Sequence, residues 1–424
     1  MMQANSNKQF RKDVIWNAIS STTNGMINMI ISFFVINLLG SDVGGIFGFG
    51  FSTLGQQVFI LSYFGIRIFQ VIDVSYRYDF DTYKRHRIIT FISSILFLIA
   101  YLLIYFRLGI YDRNKCFILF LICVFKAIEG IFDVFECELQ RNHKLYLACQ
   151  FNFARVALST SVLLGLLSIF KNSNIQGALI ALCIFIVFQV IFGTIFINTK
   201  KEYFKVGIGP VFSPENKSKI LALTKEVLPI FLATFLDFWI FSLSKYALDI
   251  YSTNYTVGLF SILFMPATLM SLIINFFLRP YLSTLADYEK NSDKMGFKNV
   301  SFQMYAIAFA IAILGIVSVL VVGKPVLSII DMLTGFKYNQ TIVDMVPLLV
   351  VIILGGFAYT LVNIRYNILA VKNKQKPMLY CYMIMLVIGI ILSWQLTSRF
   401  DMYGAASSFA ATMFILFALL CMVK

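Results

Sequence analysis

Residues 116–136 read CFILFLICVFKAIEGIFDVFE, an apolar segment long enough to cross a membrane that nevertheless carries four charged side chains, Lys126, Glu129, Asp133 and Glu136. At about 100° of rotation per residue, the four fall within about 80° of one another on one face of a helix. A charge at the centre of a membrane helix costs roughly 2.5 to 3.5 kcal/mol on insertion scales, and it normally faces water, a partner or a substrate pathway. The segment therefore predicts a membrane protein that moves a polar substrate.

The composition of the whole chain agrees with a membrane location. Of its 424 residues, 59% are hydrophobic and only 13% are charged, and the mean hydropathy is +0.82. These values lie outside the range of soluble globular proteins. Apolar segments of about 20 residues, each long enough for a hydrocarbon core about 30 Å thick, predict twelve transmembrane helices. They lie at 14–39, 46–70, 88–106, 116–136, 147–169, 177–197, 227–250, 257–278, 301–322, 345–368, 378–397 and 403–423.

The basic residues predict the orientation, because cytoplasmic loops retain lysine and arginine. With the N-terminus in the cytoplasm, the inner segments hold 23 of the 35 basic residues and the outer segments hold 7. Both termini are therefore predicted to be cytoplasmic. The net charge of +14 is explained by this bias, and since no soluble segment is large enough for a binding domain, no nucleic-acid partner is expected. Anionic lipid headgroups are expected partners of some loop charges.

Motifs for catalysis, nucleotide binding or metal binding are missing from the sequence. The seven cysteines form no CxxC pair, and the two histidines lie in predicted basic loops. There is no GxxxxGK[ST], GxSxG or HExxH sequence. We expect no cofactor, no metal and no enzymatic activity.

The longest polar interruption divides the helices six and six. It covers residues 198–226, with glycine and proline breakers followed by a short amphipathic stretch. We expect a six-helix lobe over 1–197, a cytoplasmic linker over 198–226 and a second six-helix lobe over 227–424. Two equivalent lobes are typical of secondary transporters.

One stretch of the second lobe carries a family resemblance. Residues 244–291 contain Lys245-Tyr246, Asp249, Gly258, Phe260-Ser261 and Pro280-Tyr281-Leu282. Their order and spacing resemble the seventh-to-eighth helix region of the polysaccharide repeat-unit flippases of the MATE-like exporter superfamily. Lys245 stands where that family more often has arginine. The stretch Glu138-Leu139-Gln140-Arg141-Asn142, with the later Arg155, is similar to the family as well.

The resemblance implies a MATE-like fold and a specific substrate. Members of the family move an undecaprenyl-pyrophosphate-linked oligosaccharide from the inner to the outer leaflet of the bacterial cytoplasmic membrane, a step in O-antigen or capsule assembly. The resemblance also implies a glycan polymerase and a chain-length regulator as partners. We expect alternating access, driven by an ion gradient or the membrane potential.

Intramembrane cations are the candidate sites for the pyrophosphate. Arg155 and Lys126 lie about ten residues into their helices, roughly 15 Å deep. Arg155 either lines a cavity or pairs with Glu129 or Asp133, and Lys126 either lines a cavity or pairs with Glu129. Three further candidates lie nearer to helix ends, where each side chain either snorkels to the headgroup level or captures pyrophosphate. They are Arg67, Lys245 and Arg365.

Intramembrane carboxylates are the candidate ion-coupling sites. Asp237 is the only acidic residue in the middle of a predicted helix of the second lobe, and it either couples transport to protons or pairs with a cation. Glu129, Asp133 and Glu136 are the cavity carboxylates of the first lobe.

Two other functions remain open from the sequence. A multidrug or small-molecule exporter of the same superfamily would share the fold. A membrane enzyme such as a glycan polymerase would act on the same lipid-linked glycan, although the predicted outer connections are short.

Overall fold

The computed structural model describes residues 2–72, 77–170, 174–204, 214–334, 342–372 and 374–423, and within them it is helical with no strand. The expectation of an all-helical membrane protein with a MATE-like fold is confirmed. Nine stretches of the described helices are long and apolar enough to cross a membrane. The longest of these stretches, Lys376–Met422, covers two of the predicted helices. The chain is a multi-pass membrane protein.

The helices of the first half of the chain are numbered in chain order. They are α1 (Met2–Leu39), α2 (Ser41–Phe49), α3 (Gly55–Tyr63), α4 (Ile66–Ile72), α5 (Phe80–Arg107), α6 (Arg113–Arg141), α7 (Leu145–Ile169) and α8 (Asn174–Thr199). A π-helical turn, Gly50–Leu54, joins α2 to α3, and a 3₁₀ turn, Lys201–Tyr203, follows α8.

The second half of the chain contains longer helices. They are α9 (Pro214–Tyr251), α10 (Asn254–Leu263), α11 (Met265–Lys290), α12 (Lys294–Thr334), α13 (Val346–Val371) and α14 (Gln375–Met422). A 3₁₀ turn, Ile342–Met345, precedes α13. α14 contains two helices that meet at Asp401, which leaves helical geometry with φ 49° and ψ −127°. The chain reverses direction there, because Cys381 Sγ before Asp401 lies 3.7 Å from the carbonyl oxygen of Leu419 after it, so the connection predicted at 398–402 is a tight turn.

The chain divides into two compact units, Met1–Phe235 and Leu236–Lys424, and the division falls inside α9. Part of the predicted linker, residues 205–213, lies outside the described residues, and 214–226 form the first turns of α9. The lobe limits 1–197 and 227–424 stay predictions.

In the first unit, α6 is the central helix. It packs against α3, α4, α5, α7 and α8, whereas α1 packs mainly against α7 and α2. The outer helices α5 and α8 are mostly exposed and apolar, as lipid-facing helices are. The charged residues of α6 can be accommodated at the centre because neighbouring helices cover that part of the helix.

The predicted helix over 46–70 is interrupted, and the interruption positions a candidate site residue. Phe64 and Gly65 have φ values of 50° and 67°, a left-handed conformation that ends a helix. Glycine reaches this region without the steric cost that other residues bear. The short helix α4 starts at Ile66 and packs against α6, and it carries Arg67 to the charged face of that helix.

In the second unit, α13 is the central helix and packs against α11, α12 and α14. Two adjacent glycines permit close approach on two sides. A β-carbon at Gly356 would lie 2.9 Å from the Cα of Ala267 on α11, and one at Gly355 would overlap the ring of Phe409 on α14. Small residues at such contacts let membrane helices pack closely, since van der Waals contact drives their association.

Candidate functional site

The charged face of α6 is buried inside the first unit. The helix begins after Asp112, whose side chain accepts a hydrogen bond from the backbone N–H of Lys115 at 2.9 Å. Lys126, Asp133 and Glu136 are buried, and the side chain of Glu129 is 11% exposed. The prediction that these residues share one face is therefore realised in a helix whose charged face lies against other helices rather than lipid.

Within α6 and across to α7, four residues form a chain of ion pairs. Lys126 Nζ lies 2.9 Å from Glu129 Oε2, three residues along the helix. Arg155 on α7 lies 3.4 Å from Glu129 and 3.6 Å from Glu136. Glu129 therefore pairs with both Arg155 and Lys126, as the sequence had allowed for each of them.

The other end of the face receives two arginines from α4 and α5. Arg67 pairs with Asp133, lies 3.6 Å from Glu136 and donates to the side chain of Gln140 at 3.3 Å. Arg87 lies 2.8 Å from the second carboxylate oxygen of Asp133. Asp133 therefore joins two guanidinium groups from different helices.

The sequence analysis missed Arg87, which it counted among the basic residues of a cytoplasmic loop. Its side chain is 0% exposed and also donates to the backbone carbonyls of Ser62 and Tyr63. The sequence did contain a signal for the start of this helix, namely Asp79. Its side chain caps α5 by accepting a hydrogen bond from the N–H of Thr82. A helix starting there puts Arg87 in its third turn, inside the bundle.

Aromatic rings surround the cations of this cluster. The Arg155 guanidinium lies 5.7 Å from the ring centre of Phe132 and 5.8 Å from that of Phe151. Lys126 lies 5.7 Å from Phe125, and Arg87 lies 5.3 Å from Tyr63. Rings at these distances attract a cation through their quadrupole and exclude water, so they strengthen the ion pairs.

The polar run of α1 is connected to the same cluster through α7. Asn152 donates to both carboxylate oxygens of Glu136, at 3.1 and 3.2 Å. Its own amide oxygen accepts from Ser20, at 3.2 Å, and from Asn24. These two polar residues of α1 thus bond a neighbouring helix.

We call the set of four cations and three carboxylates the α6 charge cluster. Its members are Arg67, Arg87, Lys126, Arg155, Glu129, Asp133 and Glu136. Arg67 differs from the others in exposure. Its side chain is 32% exposed, while none of the other six exceeds 11%. The cluster therefore reaches solvent mainly through one guanidinium group.

In the second unit, Asp237 lies on α9 and is half-buried. Its carboxylate accepts hydrogen bonds from the hydroxyls of Tyr359 on α13, at 2.8 Å, and Tyr382 on α14, at 3.0 Å. Among the described residues no lysine or arginine forms an ion pair with it, so the pairing with an intramembrane cation is not observed. The ring of Phe241 lies 4.5 Å from that of Tyr359.

The two remaining candidate cations, Lys245 and Arg365, also lie in the second unit, and each contacts different residues. Lys245 is buried, and its amino group lies 4.3 Å from the ring centre of Phe264. Arg365 donates to the backbone carbonyls of Leu420, at 3.1 Å, and Val423, at 2.7 Å. Leu420 lies in the last turn of α14 and Val423 follows that turn, so Arg365 binds the carboxyl end of that helix.

The structure thus brings six of the nine predicted site residues together and leaves three elsewhere. Arg67, Lys126 and Arg155 meet Glu129, Asp133 and Glu136 in the α6 charge cluster. In the described part of the chain no group of three or more histidine, cysteine or acidic side chains is arranged to hold a metal ion.

No protein-family model and no curated protein sequence matches the chain. Solved structures do match its fold. A multidrug resistance MATE family transporter of the MOP superfamily, in an inward-facing conformation, aligns with a TM-score of 0.73 at 12% identity and covers 96% of both chains. The lipid II flippase MurJ, in an inward closed conformation, aligns with a TM-score of 0.69 at 12% identity, over 96% of this chain and 87% of that one.

A third similar structure is a MOP superfamily transporter from Pyrococcus furiosus, whose binding pocket is described as having reverse polarity. It aligns with a TM-score of 0.53 at 12% identity, over 98% of this chain and 93% of the other. At these identities the similarity establishes a shared fold, and function has to be argued from the residues of this chain.

Proposed function

We propose that this protein is a flippase that moves a polyprenyl-pyrophosphate-linked oligosaccharide repeat unit from the inner to the outer leaflet of a bacterial cytoplasmic membrane. The observation that carries the proposal is the exposure of Arg67 at the edge of the otherwise buried α6 charge cluster. The multi-pass MATE-like fold, shared with a lipid II flippase, supports it.

The charge balance of the cluster suits a phosphate ligand. The cluster as defined holds four cations and three carboxylates, one cation more than carboxylates. A buried charge is costly unless it is compensated, and a pyrophosphate would supply the missing negative charge. An arginine presents paired N–H donors that match phosphate oxygens, as Arg67 does from the exposed side.

Arg67 can exchange partners without leaving a carboxylate unpaired. Asp133 also pairs with Arg87, and Glu136 also pairs with Arg155 and accepts from Asn152. A phosphate could therefore take Arg67 from the cluster at a modest cost, because each carboxylate keeps a cationic partner. In our proposal Arg67 binds the pyrophosphate first, and the buried cations supply the long-range attraction.

In this proposal the second unit couples transport to an ion gradient. Asp237 is a half-buried carboxylate held by two tyrosine hydroxyls, a site at which a proton or a small cation can bind and be released. The chain then works by alternating access, and the substrate leaves chemically unchanged, in contrast to the product of a membrane polymerase.

A second candidate function is export of a drug or another small molecule. The observation that favours it is the same Asp237, since a carboxylate lined by Tyr359, Tyr382 and Phe241 also suits an organic cation. The fold match to a multidrug resistance transporter supports it equally. An exporter of cationic drugs would need Asp237 for substrate binding and would not need Arg67.

The experiment is an analysis of lipid-linked oligosaccharides in a deletion strain complemented with variants. Leaflet sidedness is probed with a membrane-impermeant glycosidase. The deletion should accumulate complete repeat units on the cytoplasmic face, and Arg67→Gln should fail to rescue it, although the variant protein is present in the membrane. Arg399→Gln, which alters an exposed arginine outside the cluster, is the matched control and should rescue fully.

Three outcomes would reject the proposal. Full rescue by Arg67→Gln would show that transport does not need Arg67, the exposed member of the α6 charge cluster. Complete but unpolymerised units on the outer face would indicate an enzyme. Unchanged glycan lipids, with a gain of drug sensitivity in the deletion strain, would establish the exporter.

A further inference from the structure

A cavity of about 360 Å³ lies between α5 and α6, close to the short connection that joins them. Leu103 and Phe106 line it from α5, and Phe117 and Phe120 line it from α6. Its volume falls within the range of small-molecule sites, and its lining is almost wholly apolar.

The cavity opens on the surface that this protein turns toward lipid. Leu103 and Phe117 are each about half exposed, and most of α5 is apolar and exposed in the same way. A groove on such a surface is in contact with hydrocarbon chains rather than water. An acyl chain is therefore the ligand whose chemistry matches the apolar part of the groove.

Tyrosines mark the headgroup level at this end of the helix pair. Tyr105 stacks between Tyr101 and Tyr111, with ring centres 4.4 and 4.9 Å apart, and the hydroxyls of Tyr101 and Tyr111 lie 3.1 Å from each other. Tyrosine is enriched at the membrane interface, where an apolar ring and a polar hydroxyl are both satisfied. The groove thus starts at the interface and continues into the hydrocarbon layer.

Two exposed arginines lie at the interface end of the groove. Arg113 is part of the cavity lining, and its guanidinium lies 5.6 Å from the ring centre of Phe117. Arg107, in the last turn of α5, is exposed at the same end. By contrast, the nearby Lys115 is buried, with its amino group 4.4 Å from the ring centre of Tyr111. Positive charge is therefore presented where the headgroup of a bound lipid would lie.

We propose that the α5–α6 groove binds an anionic diacyl phospholipid, with one acyl chain between Leu103, Phe106 and Phe117 and the headgroup phosphate on Arg113 and Arg107. An apolar groove continuous with a pair of cations complements one acyl chain and the negative headgroup to which it is joined. The inference does not depend on the transported substrate, because the groove shares no residue with the α6 charge cluster or with Asp237.

The test places a fluorescent reporter in the groove of the full-length protein. Phe117→Trp is reconstituted into vesicles that contain phospholipids with brominated acyl chains, either phosphatidylglycerol or phosphatidylcholine, and quenching of the added fluorescence is measured against the unchanged chain. Phe309→Trp is the matched control, since Phe309 is exposed to a similar degree on α12 of the other unit.

We expect brominated phosphatidylglycerol to associate with the groove reporter about tenfold or more tightly than brominated phosphatidylcholine, since each basic residue near a membrane surface contributes about a fivefold preference. The Phe309→Trp reporter should respond equally to the two lipids. Adding Arg107→Gln and Arg113→Gln should abolish the preference, and Arg113→Lys with Arg107 intact should retain it. Both arginines are exposed, so these variants are expected to fold.

Three results would overturn the inference. Equal quenching by the two lipids would show that the groove does not select an anionic headgroup. A preference that survives both glutamine substitutions would place the headgroup elsewhere. Displacement of the brominated phosphatidylglycerol by low concentrations of a polyprenyl phosphate, without displacement by excess unlabelled phosphatidylglycerol, would assign the groove to the transported class of lipid.

Discussion

Arg87 on α5 and Asp133 on α6 form an ion pair across 2.8 Å in which the two side chains are 0% and 7% exposed. The pair connects a residue near the start of one helix with the middle of another. It also connects the charged face of α6 to the end of α3, because Arg87 donates to the carbonyls of Ser62 and Tyr63. These carbonyls belong to the turn that ends α3 and so lack helical partners of their own.

Replacing Arg87 should therefore destabilise the first unit strongly. Arg87→Gln leaves the buried carboxylate of Asp133 with one cation fewer and removes a donor from the carbonyls of Ser62 and Tyr63, of which Ser62 keeps the hydroxyl of Thr90. Breaking a buried ion pair so that one charge is left uncompensated costs about 3 to 5 kcal/mol, and because Asp133 keeps Arg67 we expect a loss at or below the lower end of that range. We expect a large fall in the melting temperature of the purified protein in detergent. Arg107→Gln, at the exposed end of the same helix, is the control and should change the free energy of unfolding by less than about 0.5 kcal/mol.

Substitution by alanine is expected to change the free energy of unfolding in opposite directions at two glycines, Gly193 and Gly165. A β-carbon at Gly193 on α8 would overlap the buried ring of Phe132, which packs on Arg155 of the α6 charge cluster. Gly193→Ala should thus cost about 1 to 3 kcal/mol. At Gly165 on α7 no atom lies within 4 Å of the added carbon, so Gly165→Ala should stabilise its helix by about 0.5 to 1 kcal/mol. Thermal unfolding of both variants checks the order; equal melting temperatures would contradict the packing of α8 on α6.

Asp237 should be needed for coupling but not for folding. Asn at this position keeps one of the two oxygens that accept from Tyr359 and Tyr382, and its amide N–H can donate to the other hydroxyl, but it cannot take up a proton or neutralise a cation. We expect Asp237→Asn to reach the membrane in normal amounts and to lose stimulation by an imposed proton or sodium gradient in reconstituted vesicles. Tyr382→Phe, which removes one donor and keeps the carboxylate, should retain the stimulation. A gradient response in Asp237→Asn equal to that of the unchanged protein would exclude this role.

The cap of α5 predicts a dependence of stability on pH. Partial burial acts to raise the pKa of Asp79, but the hydrogen bonds from Thr82 outweigh it and hold the pKa of this carboxyl below its usual value. A lowered pKa stabilises the fold above the pKa of the unfolded chain, and the contribution is lost as the pH falls through the folded value. Asp79→Ala should cost about 0.5 to 2 kcal/mol at pH 7.

The difference between Asp79→Ala and the unchanged protein should begin to shrink below about pH 4, where the carboxyl of the unfolded chain takes up a proton, and should shrink further as the pH falls through the lower folded pKa. Melting temperatures measured at pH 7 and pH 3 test this. Asp287→Ala, an exposed acidic residue without a capping role in the described structure, should show little difference at either pH. A constant gap across the two pH values would mean that the charge of Asp79 does not contribute.

The sequence alone was sufficient to predict the fold class and to predict that four charged residues share one face of α6. Twenty-residue apolar segments predict membrane helices because length and hydropathy are local properties, and the helical repeat alone places Lys126, Glu129, Asp133 and Glu136 together. The pairing of Lys126 with Glu129 was also within reach, since residues three apart on a helix are neighbours.

Only the tertiary structure decided which other helices complete the site. Arg87 appeared to belong to a loop, because hydropathy marks where a helix enters lipid and not where its hydrogen bonds begin, at Asp79. Arg67 reaches Asp133 because the chain turns at Phe64 and Gly65 within one continuous apolar segment. Arg365 was a candidate for pyrophosphate capture because it lies near a helix end, whereas its contacts are with the end of α14. Depth in the membrane follows from position along one helix, but the partner of a charge depends on how separate helices pack.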